Sequence, residues 1–174
     1  MPNIAPTIYD LKECDVILVD GTPITPNELT ISIDEGNVTW EVTQNVEYRK
    51  NRGVLESTRK GDEEPMSVTF NARFSEITSS SGLDESVFEF LTFSGAASAF
   101  LSTGTNECDN PKAIDIKIVR TPSCVPATDV LQTETITFPE FRWESIGGDF
   151  GAGQFNVSGK CNVELPTAVR ADPS

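Results

Sequence analysis

The sequence predicts a mostly β domain: an antiparallel β-barrel or sandwich with one flanking α-helix and a long charged loop between two strands. Three observations predict it. First, two stretches between Asn37 and Ile77 alternate apolar and polar residues over about twice the usual strand length of ~5–6 residues. In one, Val38, Trp40, Val42, Val46 and Tyr48 face Asn37, Thr39, Glu41, Thr43, Asn45, Glu47 and Arg49 on the opposite parity. In the other, Met66, Val68, Phe70, Ala72 and Phe74 alternate with Ser67, Thr69, Asn71, Arg73 and Ser75. Successive strand side chains point to opposite faces, so each stretch has an apolar face and a polar one. Second, shorter alternating runs bounded by turn residues recur along the rest of the chain. Third, a single segment carries helical periodicity.

In chain order, residues 1–14, with Pro2 and Pro6, read as an N-terminal arm. Asp15–Asp20 (Val16, Ile17, Leu18, Val19) is a short buried strand ended by Asp20-Gly21, and Thr22–Asn27, with Pro23 and Pro26, is a turn. Glu28–Ile33 alternates Leu29, Ile31 and Ile33 and closes at Asp34-Glu35-Gly36, leading into the first long strand. The connector Lys50–Pro65 joins it to the second. Thr78–Gly82 is a flexible break. Asp84–Phe93 is the helix: Leu83, Val87, Phe90 and Leu91 follow 3.6-residue spacing, and Asp84 and Glu85 suit its start.

Ser94–Asn110 lacks periodicity, whereas Lys112–Arg120 reads as a strand through Ile114, Ile116 and Ile118. Thr121–Asp129, with Pro122 and Pro126, is irregular. Glu134–Ser145 is a strand that changes phase: Ile136 and Phe138 share one parity, Phe141 and Trp143 the other, around Pro139. Proline cannot donate to a ladder, so a bulge or an edge is expected there. Ile146–Gly153 is a glycine-rich hairpin turn, and Gln154–Val163 puts Phe155, Val157, Gly159, Cys161 and Val163 on one face. Residues 165–174 form a C-terminal tail. The whole of 1–174 is expected to be one domain of seven or eight strands and a helix.

Composition limits the function classes. With 37% hydrophobic residues, ten Phe and two Trp, the chain is not disordered throughout. No apolar run approaches the ~20 residues needed to span a bilayer. Met1–Ile4 shows neither a basic nor a long apolar leader segment, so a soluble, cytosolic product is expected. A net charge of −14 disfavours tight nucleic-acid binding, which draws on Lys and Arg. The acidity has two readings: plain solubility, or the wall of a ring that repels a duplex passing through it. The connector runs against this balance. Arg49, Lys50, Arg52, Arg59 and Lys60 supply five of the thirteen basic residues, and Asp62, Glu63 and Glu64 follow at once. Such a loop is either a solvated mobile segment or a docking arm for a complementary surface.

The residues offer little chemistry. The four cysteines, Cys14, Cys108, Cys124 and Cys161, form no C-x-x-C pair and the chain has no His, so no zinc site and no cofactor is expected. Cys108 and Cys124 bracket the strand Lys112–Arg120, and the mostly extended chain from one cysteine to the other reaches ~50 Å. A bridge between them, needing Cα atoms ~4.4–6.8 Å apart, would require the flanks to fold back sharply. The cysteines are either four reduced thiols or partners in disulfides between subunits. Asp62, Glu63 and Glu64 lack calcium-loop spacing. Gly147–Gly153 lacks the Lys-Ser/Thr ending of a phosphate loop. Asn37-Val38-Thr39 and Asn156-Val157-Ser158 match the glycosylation pattern but lie inside predicted strands. No catalytic motif emerges, and the chain reads as a non-enzyme.

The segments Asp34–Trp40, Arg52–Glu56 and Lys60–Val68, with Pro139–Glu144 and Ser158–Asn162, resemble the tail tube proteins of tailed bacteriophages in phrasing and element order. The resemblance spans most of the chain. It implies a small β-barrel or sandwich with a flanking helix that assembles into hexameric rings. The rings stack into a hollow tube that conducts the genome into the host, in a virion assembled in the host cytoplasm. It also implies an acidic lumen wall and strands paired between neighbouring subunits. On that basis Thr39, Glu41, Thr43, Asn45, Glu47, Thr69 and Asn71 are expected to face the lumen. Arg49, Lys50, Arg52, Arg59, Lys60, Asp62, Glu63 and Glu64 are expected to contact the next ring. The partners implied are other copies of the chain, with sheath, baseplate and terminator proteins, while DNA passes without specific binding. The alternative is a β-sandwich binding module, a carbohydrate- or receptor-binding adhesin or a tail decoration.

Overall fold

A computed structural model describes residues 14–31, 38–73, 85–104, 111–121, 133–149 and 151–171. The strands are β1 (Cys14–Val19), β2 (Glu28–Ile31), β3 (Val38–Glu41), β4 (Val46–Asn51), β5 (Val54–Lys60), β6 (Met66–Arg73), β7 (Ile114–Arg120), β8 (Thr133–Asp149), β9 (Gln154–Cys161) and β10 (Thr167–Ala171). One α-helix, α1 (Val87–Thr92), and a 3₁₀ turn (Gly95–Ala99) lie between β6 and β7. The main sheet is antiparallel, in the order β2-β1-β7-β8-β9-β6-β3, with β10 added on β8. β2 and β3 end it without meeting, so the sheet is a folded, sandwich-like layer and not a closed barrel. β4 and β5 form a separate two-stranded sheet.

β8 makes the fold. Residues 133–137 pair with β10, 134–141 with β7 and 141–149 with β9, so one bent strand belongs to both halves of the sheet. The expected irregularity at Pro139 is present: Ile116 pairs with Phe138 but Ile114 with Phe141, and Glu140 has φ +51°. That extra residue lets Phe138 and Phe141, three apart in sequence, both reach the core. A second register shift lies between Trp143 and Ser145.

The core collects the apolar faces of the strands. Met66, Val68, Phe70 and Ala72 of β6 are buried, as their alternation predicts, with Val16 and Leu18 of β1 and Ile114 and Ile116 of β7. Phe70 and Phe141 lie with ring centroids 6.0 Å apart across the fold. Truncating such a phenylalanine to alanine costs about 3–5 kcal/mol.

Helix α1 closes one side. Ser86 and Glu89 form a reciprocal capping box, and Phe93 ends the helix with φ +52°. Val87, Phe90 and Leu91 face the core, as their spacing requires. The helix is shorter than the expected Asp84–Phe93, and Leu83 and Asp84 lie outside the described residues. Trp143 Nε1 donates to the Leu91 carbonyl at 2.9 Å, tying the helix to β8.

Three expectations are corrected. The first long strand is two: β3 in the main sheet and β4 outside it, separated by the non-strand residues 42–45. Four intervening residues preserve the parity of the alternation, so the pattern runs on through the break. The connector expected as a loop from Lys50 to Pro65 is mostly a β-hairpin, with only the turn residues 52–53 and residues 61–65 outside strands. The expected tail contains β10, which pairs with β8 from Thr167↔Thr137 to Ala171↔Thr133. Ile33, Phe74–Ile77, the break Thr78–Gly82 and the N-terminal arm before Cys14 lie outside the described residues.

Candidate assembly surfaces

The β4–β5 hairpin turns through Arg52 (φ +49°) and Gly53 (φ +84°), a two-residue turn with both residues left-handed. That twist matches the twist of paired strands. Apart from Val46, every residue on both strands is exposed. Tyr48, Val54 and Leu55 are 62%, 70% and 54% exposed, and among the described residues no hairpin side chain belongs to the core cluster. A lone two-stranded hairpin is marginal in water, so this one depends on its attachments or on a partner. Its base is pinned. Gly61 N donates to the Asn45 carbonyl at 2.8 Å, and Lys60 bonds Glu63 at 3.0 Å and also Glu164. The Glu164 and Glu63 carboxylates hold the Lys60 ammonium above its ordinary pKa.

The hairpin's charge is opposite to that of the rest of the chain. Residues 46–60 hold five basic residues and only Glu47 and Glu56 on the acidic side, leaving eight basic against twenty-five acidic elsewhere. Arg49 and Arg59 share one face of the hairpin, Lys50 and Lys60 the other, and Arg52 stands at the tip. The expected inter-ring residues therefore come together on one projection. Asp62, Glu63 and Glu64 are exposed in the return segment before β6.

The second surface is the polar face of β3, β6, β9 and the end of β8. Cross-strand register aligns Thr39 with Thr69, Ser158 and Ser145 in one row. Glu41, Ser67, Lys160 and Arg142 form the next, and Asn71 with Asn156 a third. Four of the expected lumen residues, Thr39, Glu41, Thr69 and Asn71, thus share one continuous face. Thr43 and Asn45 do not: they lie in the break after β3. Glu47 lies on the hairpin, ion-paired with Arg59. Sequence reasoning left out Asn156, Ser158 and Lys160, although the alternation Gln154, Asn156, Ser158, Lys160 marks them. The face carries Glu41, Glu144 and Asp149 against Arg73, Arg142 and Lys160. Its charges balance, so the acidity of the chain is not concentrated there.

Three strands of the main sheet, β2, β3 and β10, have one neighbour each among the described residues. Their free edges carry backbone donors and acceptors able to pair with another chain. All of β10 is exposed, including Val169 at 62%.

The two described thiols, Cys14 and Cys161, lie on different strands, β1 and β9. Cys161 is fully buried in the core, and burial, reinforced by nearby Asp115 and opposed by Arg142, pushes its pKa up to about 12. An intersubunit disulfide through Cys161 would require it to leave the core; burial makes it a packing residue. Cys14 is half-buried at the start of β1. Cys108 and Cys124 lie outside the described residues. Among the described residues no three potential metal ligands converge. No protein-family model matches the chain, and no curated protein matches it significantly.

Proposed function

We propose that this chain is a non-catalytic structural subunit of the phage tail-tube type, whose copies form hexameric rings stacked into a conduit for DNA. The observation that carries the reading is the β4–β5 hairpin: exposed on both faces, basic on an acidic chain, and outside the core. A monomer gains little from such an element, whereas a neighbouring acidic copy supplies both the apolar cover and the opposite charge it lacks. The open edges of β3 and β10 fit strand pairing between subunits. The polar face through Thr39, Thr69 and Ser158 is the surface assigned to the channel, where balanced charge and small hydroxyls let DNA slide without specific binding. Sheath, baseplate and terminator proteins are the further partners in a virion tail.

A binding module is the second reading. A depression of about 320 Å³ lies at the β8–β9 turn, lined by Asn71, Asp149, Gln154, Asn156 and Phe155, groups that suit a sugar. Phe155, however, is only half-exposed and lies alongside Phe88 with ring centroids 6.4 Å apart. Negative-stain electron microscopy of purified protein separates the two. Rings or tubes with a central hole support the conduit, and dispersed monomers at all concentrations favour the binding module.

A further inference from the structure

Between β1 and β2, the side chain of Ile24 is 99% exposed. Its φ is +74°, and Thr25 N–H donates to the Pro23 carbonyl at 2.9 Å. Ile24 is therefore the central residue of a γ-turn of the rare positive-φ kind, a conformation strained for a β-branched side chain. Neither core packing nor a neighbour compensates for that strain, so the surrounding structure must impose it.

The base of the loop does impose it. Asp20, 3% exposed at the end of β1, accepts from Thr22 N–H (3.2 Å), Thr22 Oγ1 (2.5 Å), Asn27 N–H (2.7 Å), Asn27 Nδ2 (2.9 Å) and Leu101 N–H (3.4 Å). Gly21 N–H donates to the Leu101 carbonyl at 2.7 Å, and a Cβ on Gly21 would lie 2.1 Å from the Ser102 carbonyl oxygen. Pro23 and Pro26 stiffen the loop between these anchors. The result is a rigid pedestal presenting one apolar side chain, with half-exposed Leu101 on the segment bonded to it.

Charge identifies what meets it. Residues 21–27 carry no charged side chain, and neither do residues 94–104. On a chain of net charge −14, copies approach each other with least repulsion where charge is absent. The loop also leaves the same end of the fold as the hairpin. Val19 pairs with Asp115, whose carboxylate bonds Glu140 N; the Glu140 carbonyl accepts from Asn162 N; and Met66 N bonds the adjacent Val163 carbonyl. A second copy supplies apolar counterparts in exposed Tyr48, Val54 and Leu55. We propose that Ile24 is a contact point between copies of this chain, held in a strained turn so that its side chain packs against a second copy. The proposal rests on the self-assembly reading above.

Sedimentation velocity over a concentration series, with thermal melting in parallel, tests it on the full chain. Ile24→Asn and Ile24→Gly both tolerate positive φ, so their monomers should melt no lower than the unsubstituted chain. Their association should need at least a tenfold higher concentration, and Ile24→Leu should retain association close to that of the unsubstituted chain. If the Asn and Gly variants assemble at the same concentration as the unsubstituted chain, Ile24 is no contact and the assembly reading stands. If the unsubstituted chain is monomeric throughout, the assembly reading falls and this proposal falls with it.

Discussion

The carboxylate of Asp115 on β7 accepts a hydrogen bond at 2.9 Å from the backbone N–H of Glu140 on β8, where the chain turns left-handed. The bulge takes that N–H out of the regular ladder, and the side chain replaces the missing acceptor. Glu140 in turn meets Arg142, and Asn162 just beyond β9, while Arg142 Nε donates to the Pro111 carbonyl. The two halves of the sheet are joined through this corner. Asp115→Ala should lower stability by about 1–3 kcal/mol, the cost of a polar group left without its partner. Asp115→Asn, which keeps an acceptor oxygen, should recover part of it. Equal urea midpoints for all three proteins would show that the corner is held by other contacts.

Gly159 is required by close approach. A Cβ there would lie 2.2 Å from the Arg142 carbonyl oxygen and 2.8 Å from the Phe141 ring. Both are fixed parts of the bent strand, so Gly159→Ala should force β9 away from β8 and cost at least about 1–3 kcal/mol, the usual range for overpacking. Circular dichroism melting of the variant checks this; an unchanged midpoint would contradict it.

Reversing Arg49, Lys50 and Arg52 together to glutamate should leave a folded monomer, because none of the three touches the core. Stacking should fail, since the hairpin would become acidic like the rest of the chain. Electron microscopy would then show rings or monomers in place of long tubes. Tubes of ordinary length would remove the hairpin from the inter-ring contact.

The channel assignment is open to chemical labelling. A cysteine at Glu41 or Thr69 should react with a small thiol reagent in monomers and become shielded from a bulky one in intact tubes. Free reaction of both sites with the bulky reagent on assembled tubes would place this face on the outside.

Burial of Cys161 sets a pH dependence. The folded thiol holds its proton up to about 12, whereas the exposed thiol of the unfolded chain releases it near 9. The folded state therefore binds more protons in that window. This contribution is full below about pH 9 and is lost as pH rises from there through about 12. At pH 10 the loss should be about 1 kcal/mol, read as a steeper alkaline decline than that of Cys161→Ala. Parallel declines, or labelling of native Cys161 at neutral pH, would contradict the burial argument.

Much of the fold was legible from local pattern. Met66–Ala72 alternate and are buried alternately, Val87, Phe90 and Leu91 face the core from a helix, and Pro139 marks the bulge that its missing donor requires. The break after Glu41 was not legible, because residues 42–45 keep the parity of the strands on either side. β10 was missed because its residues are exposed on both faces, and so its alternation records no burial. The pedestal under Ile24 depends on Asp20 meeting Leu101, a contact far along the chain with no local signature.

The sequence by itself determined the predominance of strands, the single helix and the concentration of basic residues at 49–60, since periodicity and charge are properties of neighbouring residues. Only the tertiary structure decided that these basic residues ride on a hairpin outside the core, and that Thr39, Thr69 and Ser158 line up on one face. It also decided that the sheet stays open between β2 and β3. Those outcomes depend on which strands pair and in what register. Register is chosen by the packing of distant side chains such as Phe70 against Phe141, which no short stretch of sequence contains.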